Sequence, residues 1–284
     1  MKEETEWDLI IKPKPKVFSL SLGELFLYKD LIVLFVKRDM VAQYKQTILG
    51  PMWLVIQPLL TTLFFTLIFG SFAKFDAGTV PYPVFTLSGL TIWNFFASSL
   101  NKTSNVFVSN AGMFGKVYFP RLTVPLSALI SNAFSFLIQF AILLILLLYY
   151  KLVNGYDWQV NWKLMALFPF VLILCGLFGM GAGLIISSVT TKYRDLSFLV
   201  GFALQFMMYF SCVVFPTDNF SPKIQAIFNL NPLLHIVNFF RAIFVNTPFN
   251  DLSWLIYSTA WTVIVLVIGM LIFNKVEKSF MYTV

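Results

Sequence analysis

The feature that most constrains this chain is a series of six apolar stretches, each about as long as a membrane-spanning helix. A helix needs about 20 mostly apolar residues to cross the hydrocarbon core of a bilayer. None of the six stretches carries an ionised side chain well inside it. This pattern predicts an all-α integral membrane protein with six transmembrane helices. The six stretches are Leu49–Phe72, Val84–Leu100, Leu122–Tyr150, Leu164–Val189, Leu196–Phe215 and Leu252–Asn274.

The composition of the chain agrees with this class. Hydrophobic residues make up 58% of the chain and charged residues only 12%, whereas a soluble domain carries about 25% charged residues. The net charge of +7 does not indicate a nucleic-acid partner, because the basic residues flank the apolar stretches, where membrane orientation places them. Cys175 and Cys212 both lie inside apolar stretches, so we interpret them as small hydrophobic residues rather than as a disulfide or a metal pair.

The first 47 residues differ from the rest of the chain. We assign residues 1–47 to an N-terminal cytoplasmic and interfacial segment, and residues 48–284 to the transmembrane domain. Ser21 and Glu24 have the spacing of a capping box, which predicts a helix that runs to about Gln46. The apolar run Leu31–Val36 is too short to cross a membrane, and charges interrupt it on both sides. These properties indicate an amphipathic helix that lies at the membrane interface.

The distribution of Lys and Arg predicts the orientation. Cytoplasmic connections carry an excess of these residues. With the N-terminus inside, fifteen fall on the inside and five on the outside. We therefore expect both termini in the cytoplasm. The five on the outside are Lys74, Lys151, Lys163, Lys223 and Arg241.

The connection between the fifth and sixth stretches is unusual. Residues 216–222 form a cluster of turn-forming residues, and two apolar runs follow, Ile224–Leu230 and Leu233–Val245. Each run is too short to cross a membrane, and Asn231 and Pro232 separate them. This arrangement predicts two short re-entrant helices, because backbone at that depth must be covered by protein or line a wet cavity.

The sequence contains no motif that would supply energy or catalysis. A P-loop needs Gly-x4-Gly-Lys-Ser/Thr, but Gly115-Lys116 has Asn110 at the first glycine position and is followed by Val117. His235 is the single histidine of the chain, and we interpret it as a structural group. Ion-coupled transporters usually keep carboxylates or histidines inside their spans, and the six stretches hold none. If this protein moves a substrate uphill, the energy therefore comes from another chain.

Several motifs occur in a fixed order along the chain. They are Arg38-Asp39 with Tyr44-Lys45-Gln46-Thr47 and Leu49-Gly50-Pro51, then Trp53 and Gln57-Pro58, Lys116-Val117-Tyr118-Phe119-Pro120-Arg121-Leu122 with Pro125, Tyr193-Arg194-Asp195-Leu196, and Asn231-Pro232-Leu233 with Phe240-Arg241. Together they resemble a known family, the membrane subunit of ABC-2-type polysaccharide exporters, also called the type V exporter fold. The resemblance extends from about Trp7 to the C-terminus.

The resemblance implies a homodimer of six-span subunits in the bacterial inner membrane, docked on two copies of a separate ATPase subunit. The chain itself would hold no cofactor and would not be an enzyme, since ATP and Mg²⁺ would bind to the ATPase. The cargo would be a lipid-linked, O-antigen-like polysaccharide that passes between the membrane subunits. Export of teichoic acid, capsule, or a small lipid or drug is the alternative. A membrane enzyme acting on a lipid-linked sugar would need a cluster of carboxylates or a metal site, which the sequence does not offer.

The resemblance also assigns roles to individual residues. The end of the interface helix and the cytoplasmic entrance comprise Arg38, Asp39, Tyr44, Lys45 and Gln46. Contact with the ATPase subunit falls to Gly112, Met113, Lys116, Tyr193, Arg194 and Asp195. The outer gate comprises Asn231, Pro232 and Arg241.

Aromatic residues make up 18% of the chain, and 33 of them are Phe. Sugars stack on aromatic faces, so some of these rings are candidates for a channel lining. The alternative is that they are ordinary lipid-facing Phe and interfacial Trp. The candidates are Trp53, Trp93, Phe95, Phe96 and Tyr118.

Overall fold

The computed structural model describes residues 27–45, 50–114, 119–191, 193, 195–245, 247 and 251–280, and regular secondary structure within these ranges is entirely helical. The α-helices are α1 Lys29–Tyr44, α2 Trp53–Phe65, α3 Tyr82–Ser104, α4 Val106–Ser109, α5 Ala111–Phe114, α6 Thr123–Asn154, α7 Trp162–Met165, α8 Phe168–Thr190, α9 Leu196–Phe210, α10 Pro222–Phe228, α11 Pro232–Phe244 and α12 Ser253–Phe280. A 3₁₀ turn over Gly50–Met52 and a π-helix over Thr66–Phe72 extend helix α2 at its two ends.

Among the described residues, four of the predicted spans are confirmed as helices that are long and apolar enough to cross a membrane. The count rises to five if the bent pair α10 and α11 is taken as one span. The chain is therefore a multi-pass, all-helical membrane protein. The four helical segments are Gly50–Phe72, Thr123–Asn154, Phe168–Thr190 and Ser253–Val276.

The second predicted span forms helix α3, but this helix is more polar than a lipid-facing span. Its 23 residues are long enough to cross a bilayer. Ser88, Thr91 and Ser99 are buried, and their hydroxyls donate to carbonyls of the same helix. Because α3 lies at the centre of the bundle, other helices rather than lipid cover most of its surface, and it tolerates these polar groups.

The fifth predicted span, Leu196–Phe215, is wrong in length. Helix α9 ends at Phe210 after 15 residues, which is about 22 Å of helix. Cys212 has a positive φ of 48°, a left-handed conformation that ends an α-helix. Hydrogen bonds from other helices, described below, hold the backbone that follows.

The two short helices after residue 216 are confirmed. Helices α10 and α11 are separated at residues 229–231 and bend by 98° relative to each other. The break falls at Asn231 and Pro232, as the sequence predicts. His235 has the expected structural environment, since its Nε2 lies 2.9 Å from the carbonyl oxygen of Asn229 and its ring stacks on Trp254.

Helix α8 packs closely against α3 through small residues. A Cβ atom added at Gly179 would lie 2.8 Å from the carbonyl oxygen of Phe96, and one at Gly183 would lie 2.7 Å from that of Leu100. Neither position has room for a side chain. The four-residue spacing of these two glycines is typical of helices whose backbones approach closely.

Helix α1 buries a short apolar stripe against the rest of the protein. Ile32, Phe35 and Val36 are buried, and this i, i+3, i+4 spacing places them on one face. Val33 and Leu34 are exposed, so the helix has apolar residues on a second face as well. The predicted capping box at Ser21 and Glu24 lies outside the described residues, as do Gln46, Lys116, Tyr118 and Arg194.

Candidate functional site

Two cavities show which connections share a face of the molecule. One cavity of about 510 Å³ is lined by Arg38, Lys102 and Asn110, among others. The other, of about 370 Å³, is lined by residues of the 76–80 and 216–218 regions, by Thr247 and Asp251, and by residues of α11. Connections that the charge pattern places on the cytoplasmic side thus meet in the first cavity, and those placed outside meet in the second. We call the second cavity the outer cavity.

Arg241 is fully buried, although the sequence suggested a charge in an outer connection. Its exposed fraction is 1%, and its guanidinium lies 3.7 Å from the centroid of the Phe85 ring. Nη1 donates to the carbonyl oxygen of Cys212 at 3.1 Å, and Nη2 donates to that of Val213. The guanidinium is therefore compensated by carbonyl groups and an aromatic face, and no carboxylate within the described ranges forms an ion pair with it.

The carbonyls that Arg241 binds belong to the short segment that follows α9. We call residues 211–215 the outer turn. Tyr82 at the start of α3 donates its hydroxyl to the carbonyl oxygen of Val214 at 2.5 Å. Arg241 and Tyr82 thus take up three consecutive carbonyls, which no helix satisfies there. Buried carbonyls need such partners, so the two side chains fix the point where α9 ends.

Asn231 joins the start of α11 to the same turn. Its Oδ1 accepts a hydrogen bond from the amide of Leu233 at 3.0 Å, which caps the helix. Its Nδ2 donates to the hydroxyl of Ser211 at 2.9 Å. Pro232 occupies the first turn of α11, where a missing N–H costs nothing, and its carbonyl accepts from Ser258 of α12 at 2.8 Å.

The other end of α11 is held by the connection after α6. Tyr156 donates to the carbonyl oxygen of Val245 at 2.8 Å, and the indole of Trp158 donates to that of Phe244 at 2.8 Å. Burial, together with the negative charge of Asp157, raises the pKa of Tyr156. The hydroxyl therefore stays protonated and remains a donor at neutral pH. Helix α11 is thus anchored at both ends and along its length.

An apolar cluster joins the segments on the face opposite the outer turn. The rings of Phe107 and Phe273 stack at 4.6 Å, and those of Phe35 and Phe119 meet edge to face at 5.7 Å. These contacts join α4, α12, α1 and the start of α6. Displacement of one of these segments would therefore move the others. The buried members are Phe35, Val106, Phe107, Phe114, Phe119, Val124, Leu184 and Phe273.

The residues predicted to contact an ATPase lie at the edge of this cluster. Gly112 on α5 is exposed, and a Cβ added there would meet nothing within 4 Å. Met113 packs partly against the cluster, and Arg121 lies 5.3 Å from the ring centroid of Phe114. The tip at Gly112 is therefore accessible, whereas the residues behind it are tightly packed.

The predicted entrance residues lie on α1. The Nη2 of Arg38 contacts Asp39 Oδ1 at 2.8 Å, and the guanidinium lies 4.8 Å from the Phe35 ring centroid. This pair is solvent-accessible, so it contributes little to stability. Lys45 follows the end of α1 and is exposed. Tyr44 belongs to the helix backbone.

Comparison with known proteins identifies the family. The family model described as ABC-2 type transporter matches residues 30–245. An O-antigen export system permease protein RfbA of Klebsiella pneumoniae is 30% identical over 261 residues, which cover 92% of this chain and 96% of the relative. The chain belongs to the ABC-2 type transporter family. A polysialic acid transport protein KpsM of Escherichia coli is 24% identical, over 85% of this chain and 92% of that protein.

The third group of assigned residues lies in the connection that precedes α9 of this ABC-2 chain. Tyr193 and Asp195 are exposed, and the amide of Leu196 donates to the carbonyl oxygen of Tyr193 at 3.2 Å. The connection is short, because α8 ends at Thr190 and α9 begins at Leu196. A partner that contacts it would act on both helices.

Three of the aromatic candidates for a channel lining are core residues of the ABC-2 fold. Trp93, Phe95 and Phe96 are 5%, 5% and 2% exposed. A channel wall needs rings on the surface, so this prediction does not fit their positions. An apolar helix that is covered by other helices has no polar face to reveal which rings point inward. Trp53 is 50% exposed and remains a surface ring.

The structure shows a set of surface rings that the sequence analysis missed. Phe198, Phe202 and Phe206 on α9 are 78%, 76% and 69% exposed. Their i, i+4, i+8 spacing places them on one face of the helix. We call these three residues the α9 Phe stripe. The recurrence of Phe every four residues is visible in the sequence, and it is the signal from which the stripe could be predicted.

Proposed function

We propose that this ABC-2 chain is the membrane subunit of an ATP-driven exporter that moves a lipid-linked, O-antigen-like polysaccharide out of the cytoplasm of a bacterium. The observation that carries the proposal is the near full-length similarity to the RfbA permease of Klebsiella pneumoniae, which is named for O-antigen export. A capsule polysaccharide export inner-membrane protein CtrC of Neisseria meningitidis matches 91% of this chain at 23% identity. Similarity to export permeases of different polysaccharides favours a glycan cargo over a small drug.

We infer a six-crossing topology with both termini in the cytoplasm. Helices α2, α3, α6, α8, α9 and α12 cross the inner membrane, and α9 is the short crossing. The pair α10 and α11 dips into the outer leaflet and returns. Two facts support this arrangement: the connections segregate into two cavities, and four Lys or Arg remain in outer connections once Arg241 is counted as buried.

We propose that two copies of the chain form the export path. Helix α2 has few buried side chains, with Leu63 and Phe64 more than half exposed, and the α9 Phe stripe lies on a second uncovered face. Exposed apolar faces of this kind are suited to lipid or to another subunit. In the dimer, the stripe supplies rings on which sugar units stack as the glycan passes. These rings replace Trp93, Phe95 and Phe96 as candidates for the channel lining.

Energy reaches the chain from a separate ATPase subunit, present in two copies, that binds ATP and Mg²⁺. We propose that it contacts the exposed tip at Gly112 and the connection at Tyr193 and Asp195. The aromatic cluster behind Gly112 carries the movement to α1 and α12, since its rings are buried and stacked. The pair Arg38 and Asp39 lies at the cytoplasmic entrance, beside the cavity on that face.

The proposal is tested by expressing the chain with its ATPase subunit and purifying the complex. Mass analysis of the material that copurifies identifies the glycan and its lipid. Expression of the chain alone, without the ATPase, is the matched control. The proposal predicts a lipid-linked glycan on the complex and no ATP hydrolysis by the isolated chain.

A further inference from the structure

We infer that the outer cavity is a binding subsite for one or two uncharged sugar units of the exported glycan. This inference rests on the proposed function and names the kind of glycan that the site accepts. The cavity holds about 370 Å³, which is within the usual size of small-ligand pockets. It lies between the connection after α2, the connection after α9, helix α11 and the start of α12. A glycan that leaves the membrane subunit on this face would pass its mouth.

Carboxylates supply the acceptors of the site. Asp76, Asp218 and Asp251 all line the cavity. Asp76 Oδ1 accepts from the amide of Gly78 at 2.8 Å, and the one hydrogen bond that Asp218 accepts from a described residue is a long bond of 3.4 Å from the Thr217 hydroxyl. A carboxylate has about four acceptor positions, so each retains free capacity for a ligand hydroxyl.

The ionisation of Asp251 is favoured by its neighbours. The hydroxyl of Ser253 donates to Oδ2 at 2.6 Å, and the amide of Ser253 donates to Oδ1 at 3.0 Å. These two hydrogen bonds hold the pKa of Asp251 below its usual value. The carboxylate is therefore an acceptor at neutral pH. The first turn of α12, rather than a cationic side chain, fixes the orientation of the Asp251 carboxylate.

One donor in the cavity wall has free hydrogen-bonding capacity. Asn238 lies one turn before Arg241 on α11 and is half-buried, and no described residue accepts a hydrogen bond from its amide. Arg241 also lines the cavity, but its Nη1 and Nη2 are bonded to the outer turn and its Nε is buried. A ligand in the cavity can therefore bond to the amide of Asn238 but not to the guanidinium.

Sugar hydroxyls fit this combination of groups. A hydroxyl both donates and accepts, so one sugar ring can donate to the carboxylates and accept from the amide of Asn238. Trp254 also lines the cavity and offers an aromatic ring to the C–H face of a sugar. Three carboxylates and one guanidinium leave an excess of negative charge, which disfavours an acidic glycan. The chemistry of the cavity therefore selects uncharged sugar units.

The test measures binding of short glycans to the full-length chain in lipid nanodiscs. The probes are three neutral trisaccharides (maltotriose, mannotriose and chitotriose) and one acidic trisaccharide, α2,8-linked trisialic acid. Saturation-transfer NMR gives a dissociation constant for each. The variants are Asn238→Ala, which removes the amide, and Asp218→Asn, which replaces one acceptor oxygen with an N–H donor and removes the charge. The matched control is Gln159→Ala, an exposed amide on the same face that does not line the cavity.

We expect saturable binding of at least one neutral trisaccharide, and weaker binding of trisialic acid. Loss of one uncharged hydrogen bond weakens binding by about three- to tenfold, so Asn238→Ala should raise the dissociation constant by that factor. Asp218→Asn should raise it by at least as much, because hydrogen bonds to charged groups are stronger, while Gln159→Ala leaves it unchanged. Absence of saturable binding, tighter binding of trisialic acid, or an equal effect of Gln159→Ala would overturn the inference.

The outcome is separable from that of the proposed function. If the purified complex carries a lipid-linked glycan but the chain binds no trisaccharide, the cavity is not a sugar subsite and the export proposal stands. If the chain binds a neutral trisaccharide through Asn238 but the complex neither carries nor moves a glycan, the export proposal fails and the sugar-binding cavity stands.

Discussion

Gly89 makes room for the guanidinium of Arg241. A Cβ added at position 89 would overlap Nη2 of Arg241 and would lie 2.5 Å from the carbonyl oxygen of Val213. Helix α3, helix α11 and the outer turn therefore meet at one point, where only a glycine permits the contact. Neither the backbone carbonyl nor the anchored guanidinium can move away easily.

The first prediction concerns this contact. We expect Gly89→Ala to lower the free energy of unfolding by about 1–3 kcal/mol, which is typical of overpacking in a filled core. The measurement is thermal unfolding of the purified chain in detergent. The control is Gly201→Ala on α9, where an added Cβ meets nothing within 4 Å. Equal unfolding temperatures for the two variants would show that the contact is not tight.

The second prediction concerns the outer turn and uses the two cysteines. Cys175 and Cys212 are both free and buried. Replacing Arg241 with Met leaves the carbonyls of Cys212 and Val213 without donors, at a cost of about 1–3 kcal/mol for each unsatisfied group. We expect the turn to open, so that Cys212 reacts with maleimide while Cys175 does not.

Arg241→Lys serves as the intermediate case, because an ammonium keeps the charge but cannot reach two carbonyls as a planar fork. Its Cys212 should react at a rate between those of wild type and Arg241→Met. Mass mapping of the labelled peptides measures both cysteines in the same sample. Protection of Cys212 in Arg241→Met would mean that other contacts hold the turn.

The third prediction tests two proposed contacts separately, the contact with the ATPase subunit and the contact between two copies of the chain, by replacing one glycine at each. Gly112 and Gly201 both have open space around the position of a Cβ, so a large side chain at either should leave the fold intact. We expect Gly112→Trp to abolish association with the ATPase subunit while the homodimer persists. We expect Gly201→Trp to weaken the homodimer or block the path beside Phe202 while ATPase binding persists.

Copurification of the two subunits and the mass of the detergent-solubilised complex measure both contacts. If Gly112→Trp retained the ATPase and supported wild-type export, α5 would not be the contact. A wild-type dimer with normal export in Gly201→Trp would place that face of α9 against lipid.

The fourth prediction addresses the connection before α9. Loss of a charge-assisted contact at a partly desolvated interface costs on the order of 2 kcal/mol or more. Asp195→Ala and Arg194→Ala should therefore insert and dimerise normally but export less glycan, with ATP hydrolysis no longer linked to export. Asp157→Ala, an exposed acid on the opposite face, is the control. Wild-type export by both alanine variants at normal expression would exclude a coupling role for this connection.

Local sequence signals predicted much of the fold. The break at Asn231 and Pro232 follows from the chemistry of those residues, since proline cannot continue a preceding helix and asparagine caps a following one. The close approach of α8 to α3 follows from the spacing of Gly179 and Gly183. Each of these features depends on residues near one another in the chain.

The features that sequence reasoning missed depend on residues far apart. Helix α9 ends at Phe210 because Arg241 and Tyr82 bind the carbonyls of the outer turn. The sequence near Phe210 contains no signal that predicts these two hydrogen-bond donors. Arg241 itself was counted as a loop charge, because its burial depends on Phe85 and Gly89 of a distant helix. Burial of Trp93 was equally hidden, because hydrophobicity does not distinguish rings that face lipid from rings that face protein.

The proposed export reaction uses energy from a separate ATPase to move a lipid-linked glycan, and it can be followed in inverted membrane vesicles that contain both subunits and the copurified glycan. We expect glycan to accumulate inside the vesicles only when ATP and both subunits are present. Glycan that stays outside while ATP is hydrolysed, or that enters without the ATPase, would refute the proposed export.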